Sequence, residues 1–254
     1  MNIAERHKFI IDKMNSEGIV HVADLSKELN VTMVTIRKDL KMLEDRKLLY
    51  RSHGSATPSS PYINDRPVDE KILVMVEEKK KIANLAASLI ENDDAIIIAS
   101  GTTVATLANY IPTDFKATVL TSAINVTLAL IDHPNVETVQ LGGVIRKSSS
   151  SAVGHYAEEM LINFSCSKLF LGVDGISPDF GLTTSNMMEA HLNSIMIRSV
   201  QKVIVLADSS KFGRKGFGKI CDIDDIDTVI TDSGISDNFR SKLEERGIEV
   251  LIAD

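Results

Sequence analysis

The sequence predicts two domains, a small helical domain at the N-terminus and a larger α/β domain with an open, mainly parallel sheet. Three observations support this fold class. Helix-patterned segments occupy residues 4–45, a proline-bearing stretch follows, and short apolar runs then alternate with helical patterns. At 254 residues the chain is long enough for one small and one larger domain, each with its own core.

Composition and charge indicate an ordinary globular protein with a basic front segment. Hydrophobic residues make up 44% of the chain and charged residues 25%. The formal net charge is −7, yet residues 1–56 hold 10 Lys and Arg against 8 Asp and Glu. No apolar run is long enough to span a bilayer and the N-terminus lacks the apolar core of a secretory signal, which predicts a cytoplasmic protein that does not contact the membrane.

The two cysteines, Cys166 and Cys221, are far apart and belong to no metal-binding spacing. They are predicted to be reduced, since disulfides are rare in the cytoplasm. No metal and no cofactor is expected.

The N-terminal segment contains three helical patterns. Each of the first two carries apolar residues on one face: Phe9, Ile10 and Met14 on the first, which ends at Gly18, and Val22, Leu25 and Leu29 on the second. A tight turn at Asn30 and Val31 follows, after which Thr32 is suited to cap the third helix.

The third helix, MVTIRKDLKMLED, has two different faces. At about 100° per residue, one stripe holds Ile36, Leu40 and Leu43, and the opposite side holds Val34, Arg37, Lys38 and Lys41. A short helix, a tight turn and a second helix with a basic outer face are typical of a helix-turn-helix, whose second helix enters the DNA major groove. The candidates for base or phosphate contact are Thr32, Met33, Thr35, Arg37, Lys38 and Lys41.

The segment LLYRSHGSA predicts a short strand and turn, a β wing whose Arg51 and His53 would contact the DNA backbone. The alternative is that the charged helix face is only solvated, as the outer side of most surface helices is. The stretch LNVTMVTIRKDLKMLEDRKLLYRSHGSA, Leu29 to Ala56, resembles the front domain of the DeoR family of bacterial transcriptional regulators. Its motif runs Val-Ser-x-x-Thr-Ile-Arg-Arg-Asp-Leu and closes on His-Gly-Gly-Ala, so that Lys47 and Ser55 stand where glycine is usual. The resemblance implies a winged helix-turn-helix domain that binds a double-stranded DNA operator.

Between Gly54 and Lys71 the chain reads GSATPSSPYINDRPVDEK, with three prolines among small polar residues. Proline cannot continue a helix or a sheet ladder, so this composition predicts a linker. The predicted domains are 1–56 and 71–254, joined by a linker at 57–70.

Seven apolar runs after the linker are predicted to be strands: 95–99, 117–121, 136–141, 168–173, 202–207, 227–231 and 248–252. Helix-compatible segments, such as Ser122 to Asp132 and Ser185 to Val200, separate most of them. This alternation predicts a mainly parallel sheet covered on both faces, with a ligand in the loops beyond the carboxyl ends of the strands.

The first of these strand ends runs into Ser100-Gly101-Thr102-Thr103. Hydroxyl donors, a flexible glycine and the free amides of a helix N-terminus all favour an anion. The segment has neither the Gly-Lys-Ser/Thr of a P-loop nor a dinucleotide GxGxxG, which favours a compact anion over a nucleotide. A structural turn with a helix cap is the alternative.

Other predicted strand ends add polar residues: Thr121 and Ser122, Gly142 and Gly143 with Arg146 nearby, Asp174 and Gly175, and the segment from Asp208 to Lys211. Such loops converge at one edge of an α/β sheet and would suit a phosphate and sugar hydroxyls. Arg146 and Lys211 could instead be solvated surface residues.

The motifs ASGTT, TSAIN, LGGVIRKSSSSAVG, LGVDGIS, GLTTSNMMEAHLN, VLADSSKFG and VITD occur in the order found in the DeoR-family sensor domain. That domain is related in fold to ribose-5-phosphate and glucosamine-6-phosphate isomerases, and the version here is similar to the amino-sugar and deoxy-sugar branch. The resemblance implies that Ser100, Gly101, Thr102 and Thr103 contact a phosphate and that Thr121, Ser122, Asp174 and Lys211 surround the sugar. Ala99 stands where many members have Asp.

Catalysis is not expected. Isomerisation of a sugar phosphate needs a base beside the carbonyl and a second acid or base. The isomerase motif Asp-Gly-Ala-Asp-Glu is replaced here by Asp174-Gly175-Ile176-Ser177-Pro178, and His191 beside Glu189 is predicted to lie on a helix.

The sequence therefore predicts a repressor of carbohydrate genes that a phosphorylated sugar releases from its operator. Paired DNA half-sites would require a homodimer or homotetramer. The alternatives are a phosphosugar isomerase with a regulatory DNA-binding domain, and an activator or architectural DNA-binding protein.

Overall fold

The computed structural model describes residues 2–46, 48–52, 54–57 and 65–254. The chain divides into two compact units, an N-terminal unit up to residue 62 and a C-terminal unit made of residues 63–235 and 239–254. Residues 65–70 of the predicted linker lie in the C-terminal unit. The domain limits 1–56 and 71–254 stay predictions.

In the described part of the N-terminal unit, three helices accompany a small antiparallel sheet in which β3 lies between β1 and β2. The elements are α1 (Ile3–Glu17), β1 (Val20–His21), α2 (Val22–Glu28), α3 (Met33–Asp45), β2 (Tyr50–Ser52) and β3 (Ser55–Thr57). Gly18 ends α1 in the left-handed region, with φ of 74°, which glycine adopts without steric cost. The Thr32 hydroxyl caps α3 by accepting a hydrogen bond from the Thr35 amide at 3.2 Å. The predicted limits of α3 are confirmed.

The core of the N-terminal unit is built from the predicted apolar faces. Its fully buried side chains include Ile10, Met14, Leu25, Ile36, Leu40 and Leu43. Because Ile36, Leu40 and Leu43 face this core, the other side of α3 is left for solvent or a partner.

A buried ionic cluster, which the sequence did not indicate, holds α3 against α1. Arg6 Nε and Nη2 donate to the two carboxylate oxygens of Asp39 at 2.5 and 2.8 Å, and His7 Nε2 lies 3.2 Å from Asp39 Oδ1. Burial acts to raise the pKa of Asp39, but the hydrogen bonds from Arg6 and His7 outweigh it and hold that pKa below its usual value. Asp39 is therefore ionised at neutral pH and fixes the orientation of α3.

In the stretch 65–254, which is described without a gap, seven parallel strands form the central sheet in the order β15-β14-β12-β9-β4-β5-β6. These strands are β4 (Asp94–Ile98), β5 (Ala117–Thr121), β6 (Val136–Gln140), β9 (Cys166–Gly172), β12 (Val200–Leu206), β14 (Thr228–Asp232) and β15 (Glu249–Ala253). The helices are α4 (Val68–Ile72), α5 (Val76–Ala87), α6 (Thr102–Ala108), α7 (Ile124–Leu130), α8 (His155–Leu161), α9 (Met187–Arg198) and α10 (Asp237–Glu244). All seven predicted strands are confirmed.

Apolar clusters cover both faces of the central sheet. Ile96 and Ile98 of β4 belong to the cluster that includes residues of α5 and α6, whereas Ile97 belongs to the cluster that includes residues of α8 and α9. Neighbouring side chains of a strand point to opposite faces, so a strand buried on both faces is apolar throughout. This explains the continuous run Ile96 to Ile98.

Short strands form two further antiparallel sheets that were not predicted: β7 (Val144–Arg146) with β8 (Ser151–Val153), and β11 (Gly181–Thr184) between β10 (Gly175–Ser177) and β13 (Gly218–Cys221). Strands of three or four residues are too short for a periodic pattern. Cys166 and Cys221 are free thiols. Among the described residues, no helix combines the length and apolarity needed to cross a membrane.

Candidate DNA-reading face and effector cleft

The predicted DNA-reading residues of α3 lie on one side of the helix. Thr32, Met33, Arg37, Lys38 and Lys41 are exposed, and Thr35 is half-buried beside its capping partner. Val34, between them, is 59% exposed and adds an apolar element to this face. An exposed basic surface with a small apolar element is suited to phosphates and to thymine methyl groups.

The wing strand β2 is held beside the C-terminal half of α3. Arg51 Nε donates to Glu44 Oε2 at 2.8 Å, and Arg51 Nη1 donates to the Arg37 carbonyl oxygen at 3.4 Å. Arg37 and Arg51 line one shallow depression. The structure therefore brings these two predicted residues together, whereas the predicted His53 and the motif position Lys47 lie outside the described residues.

A cleft beyond the carboxyl ends of β4, β9 and β12 gathers most of the predicted effector residues. Its empty volume, counted with its open mouth, is about 610 Å³. The predicted residues that line it are Ser100, Gly101, Thr102, Thr103, Arg146, Asp174 and Lys211. We call it the effector cleft.

The loop from Ser100 to Thr103 joins β4 to α6 and forms one wall of the effector cleft. Gly101 has φ of 139°, which side chains disfavour. Gly172, at the end of β9, allows close approach: a β-carbon there would lie 3.0 Å from the Ser100 carbonyl oxygen. Both glycines thus let the loop lie against the neighbouring strand.

Thr121 and Ser122 are not brought to the wall of the effector cleft. Both are fully buried at the end of β5. The Thr121 hydroxyl accepts a hydrogen bond from the Ala123 amide at 3.0 Å, and the Ser122 carbonyl accepts one from the Ala152 amide at 2.8 Å. These contacts shape the turn into α7.

Asp65, which the sequence placed in the linker, contributes its carboxylate to the effector cleft. Its carboxylate is ion-paired with Arg146 Nη2 and accepts hydrogen bonds from Ser148 Oγ at 3.2 Å and Ser185 Oγ at 3.1 Å. The amide of Val68 donates to the Ser148 carbonyl at 2.7 Å, which fixes the start of α4 at the same place. A proline-rich stretch offers no periodic signal from which this could have been predicted.

Lys71 on α4 is the partner of Asp174. Its Nζ lies 2.7 Å from Asp174 Oδ1, while Thr184 Oγ1 and the Ser185 amide donate to Asp174 Oδ2 at 3.2 Å each. Burial acts to raise the pKa of Asp174, but the charges of Lys71 and Lys211 and these hydrogen bonds outweigh it, so the pKa is below its usual value. Asp174 is held as a carboxylate.

Glu189 and His191, neighbours on α9, have different surroundings. Glu189 is buried in the wall of the effector cleft, with Arg146 Nη1 at 3.7 Å and the Ser151 hydroxyl at 3.4 Å. The signal for Glu189 was its position in the GLTTSNMMEAHLN motif. His191 is exposed and pairs with Glu158 at 2.9 Å. In the part of the chain that the structure describes, no group of three or more His, Cys, Asp or Glu residues is arranged to hold a metal.

Comparison with known proteins identifies two domains in this chain. A DeoR-like helix-turn-helix domain matches residues 6–61 and a DeoR C-terminal sensor domain matches residues 74–233. A putative aga operon transcriptional repressor of Escherichia coli O157:H7 is 35% identical over 252 residues, 98% of this chain and 93% of the relative. The transcriptional repressor GlcR of Bacillus subtilis strain 168 is 30% identical over 98% of this chain and 96% of its own length. The lactose phosphotransferase system repressor of Staphylococcus epidermidis is 30% identical over 99% of this chain and 100% of its own length.

Solved structures show weaker similarity. Ribose 5-phosphate isomerase A of Methanocaldococcus jannaschii is 15% identical, with a TM-score of 0.40 over 53% of each chain. A helix-turn-helix followed by a sensor domain defines a transcriptional regulator. The chain belongs to the DeoR family of such regulators.

Proposed function

We propose that this regulator represses carbohydrate genes and leaves its operator when a phosphorylated sugar occupies the effector cleft. The observation that carries the proposal is that Asp65 and Lys71, which follow the DNA-binding unit in the chain, are bound in the effector cleft. The relatives named as repressors of an aga operon and of a lactose phosphotransferase system support the carbohydrate assignment.

The charges of the effector cleft favour displacement of Asp65 by a phosphate. Among the described lining residues, the cations Lys71, Arg146 and Lys211 face the carboxylates Asp65, Asp174 and Glu189. The Asp65 side chain is 42% exposed, compared with 12% for Asp174 and 7% for Glu189. Asp65 is therefore the carboxylate that returns to water at the smallest cost. Its departure frees Arg146 Nη2 to bind a phosphate, while Nη1 stays 3.7 Å from Glu189.

Displacement of Asp65 couples the effector cleft to the DNA-binding unit through the connecting chain. Release of Asp65 removes its contacts with Arg146, Ser148 and Ser185 from the residues that lead into α4. Only differential affinity for the bound and released arrangements shifts their populations, and reversal of a 1:99 ratio needs about 10⁴-fold preference. Paired DNA half-sites require two or more copies of the DNA-binding unit, so the chain acts as a homodimer or homotetramer. It acts in the cytoplasm.

Sensing is favoured over catalysis by the state of Asp174. A general base works best when its pKa is near the working pH, whereas Lys71 and Lys211 keep the pKa of Asp174 below its ordinary value. A coupled isomerase assay on hexose and amino-sugar phosphates should show no turnover. Turnover that disappears in Asp174→Ala would instead make the chain an isomerase.

The central test is operator release by a sugar phosphate. The full chain and a promoter fragment are titrated in a gel-retention assay with a panel of phosphorylated and free sugars. We expect one phosphorylated sugar to release the DNA and the matching free sugar to be at least about tenfold weaker, because charge-assisted hydrogen bonds contribute about 1.5–3 kcal/mol. Equal retention with every compound at saturation would reject the proposal.

Asp65→Asn should lower the sugar phosphate concentration needed for release, by about tenfold, because the amide no longer competes for Arg146. Arg146→Gln should raise it by a similar factor. The matched control is Asp69→Asn, which removes an exposed carboxylate of α4 and should leave the dose response unchanged. An identical response of Asp65→Asn and the wild type would separate Asp65 from the release step.

A further inference from the structure

A second cavity adjoins the effector cleft, and Lys71, Asp174 and Lys211 line both. Its other lining residues are Arg66, Glu70, Val74, Lys79, Asp208, Ser210 and Arg214. We propose that this second cavity, the basic cavity, binds a second phosphoryl group. The proposal deepens the function proposed above and rests on it for the link to operator release.

The basic cavity carries an excess of positive charge. Of the described residues that line it, five are cationic and three are acidic, whereas the effector cleft has equal numbers of each. Two of the three acidic residues are already engaged: Asp174 binds Lys71, and Asp208 accepts hydrogen bonds from the amide and hydroxyl of Ser210. Lys211 Nζ is 3.9 Å from Asp208 Oδ2, a weak pairing.

Lys79 is the most buried cation of the basic cavity. Its residue is 4% exposed, and its Nζ donates to the Lys71 carbonyl oxygen at 2.5 Å. No carboxylate of the described residues forms an ion pair with it. Burial, together with the charges of Lys211 and Lys71 and against that of Asp208, lowers the pKa of Lys79 to about 8.

Arg214, which also lines the basic cavity, carries an unsatisfied polar group. Its Nε is buried and, among the described residues, has no hydrogen-bond partner. Burial and the nearby charge of Arg66 lower the pKa of Arg214. The charges of Asp174 and Asp208 act in the opposite direction, but a buried N–H group without an acceptor is costly, because buried polar groups are normally paired.

A phosphoryl group satisfies these requirements together. It carries up to two negative charges and three terminal oxygens, enough to accept from Lys79, Arg214 and Lys211 at once. The carboxylates of the basic cavity do not saturate these donors: Asp208 Oδ2 lies 3.9 Å from Lys211 Nζ, and Arg214 Nε has no acceptor among the described residues. The phosphoryl group comes from inorganic phosphate or from a second phosphorylated position of one effector molecule.

Calorimetric titration of the full chain with inorganic phosphate at constant ionic strength tests the basic cavity. We expect two phosphates per protomer for the wild type and one for Lys79→Met with Arg214→Gln, whose second site should weaken at least tenfold. The exposed neighbour Lys81 on α5 provides the matched control Lys81→Met, which should retain two. A single phosphate in the wild type, unaffected by Lys79→Met or Arg214→Gln, would overturn the proposal.

Proton uptake gives an independent readout at pH 8, with sulfate as a probe that does not titrate there. An anion beside Lys79 raises its pKa, so binding should take up protons, measured in buffers of different protonation enthalpy. The other charges that line the cavity are Arg66, Glu70, Lys71, Asp174, Asp208, Lys211 and Arg214. Lys79→Arg should bind sulfate without this uptake, and uptake that persists in Lys79→Arg would count against the assignment of the proton to Lys79.

Two further measurements identify the source of the phosphoryl group and separate phosphate binding in the basic cavity from operator release. Fructose 1,6-bisphosphate that displaces both phosphates at one molecule per protomer indicates a single effector, whereas fructose 1,6-bisphosphate that displaces only one phosphate indicates free phosphate in the basic cavity. Operator release without a second phosphate site would reject the basic cavity and keep the sensor. Two phosphate sites without operator release by any sugar phosphate would keep the basic cavity and reject the proposed sensor function.

Discussion

Replacing Arg37 and Lys38 together with alanine should abolish operator retention while the protein stays folded. Both side chains project from the exposed face of α3, away from the core formed by Ile36 and Leu40. A base or phosphate contact contributes about 1–3 kcal/mol, and a dimer would lose two such contacts in each copy. We therefore expect operator binding to weaken by about 10³-fold or more.

The salt dependence of DNA binding distinguishes direct contact from a general effect of charge. Each lost phosphate contact should reduce the slope of log K against log salt by about 0.9. The double variant Lys8→Ala with Lys27→Ala removes the same charge from exposed positions on α1 and α2, and it should change operator affinity far less. Equal losses in the two double variants would mean that α3 does not read the operator.

Asp39→Ala should unfold the N-terminal unit or leave it marginally stable. The substitution leaves Arg6 buried without its carboxylate, and removal of one partner of a buried ion pair costs about 3–5 kcal/mol. A unit with a core this small has little stability beyond that amount. Calorimetry should show an early transition for the N-terminal unit and an unchanged one for the C-terminal unit, with loss of operator binding.

Asp45→Ala provides the control, because it removes an exposed carboxylate from the same helix and should change the unfolding free energy by less than about 0.5 kcal/mol. If Asp39→Ala melted like Asp45→Ala, the buried cluster would not stabilise the unit.

The free energy of unfolding, measured as a function of pH, gives a second estimate of how much Asp39 stabilises the N-terminal unit. The folded pKa of Asp39 is lowered, so its stabilisation is fully present above the pKa of the unfolded chain, about 3.9, and is lost as the pH falls through the folded pKa. In Asp39→Asn this part of the acid dependence should be absent.

The sequence alone determined the elements and the faces they bury. The stripe of Ile36, Leu40 and Leu43 predicted which side of α3 enters the core, and the apolar run from Ile96 to Ile98 predicted a strand buried on both faces. Periodicity of this kind is a local property, written within one element and set by helix and strand geometry. The same reasoning placed Ser100 to Thr103 at the carboxyl end of a strand, where they line the effector cleft.

The tertiary structure alone decided which distant residues complete the effector cleft. Lys71 meets Asp174 across 103 positions of sequence and Asp65 meets Ser185 across 120, while Thr121 turns into the interior instead of the cleft. Such contacts depend on how α4 packs beside the sheet, and no short pattern records them. A segment with linker composition thus supplies a charge to the effector cleft, because Arg146 and the neighbouring serines stabilise its carboxylate once the fold has brought them together.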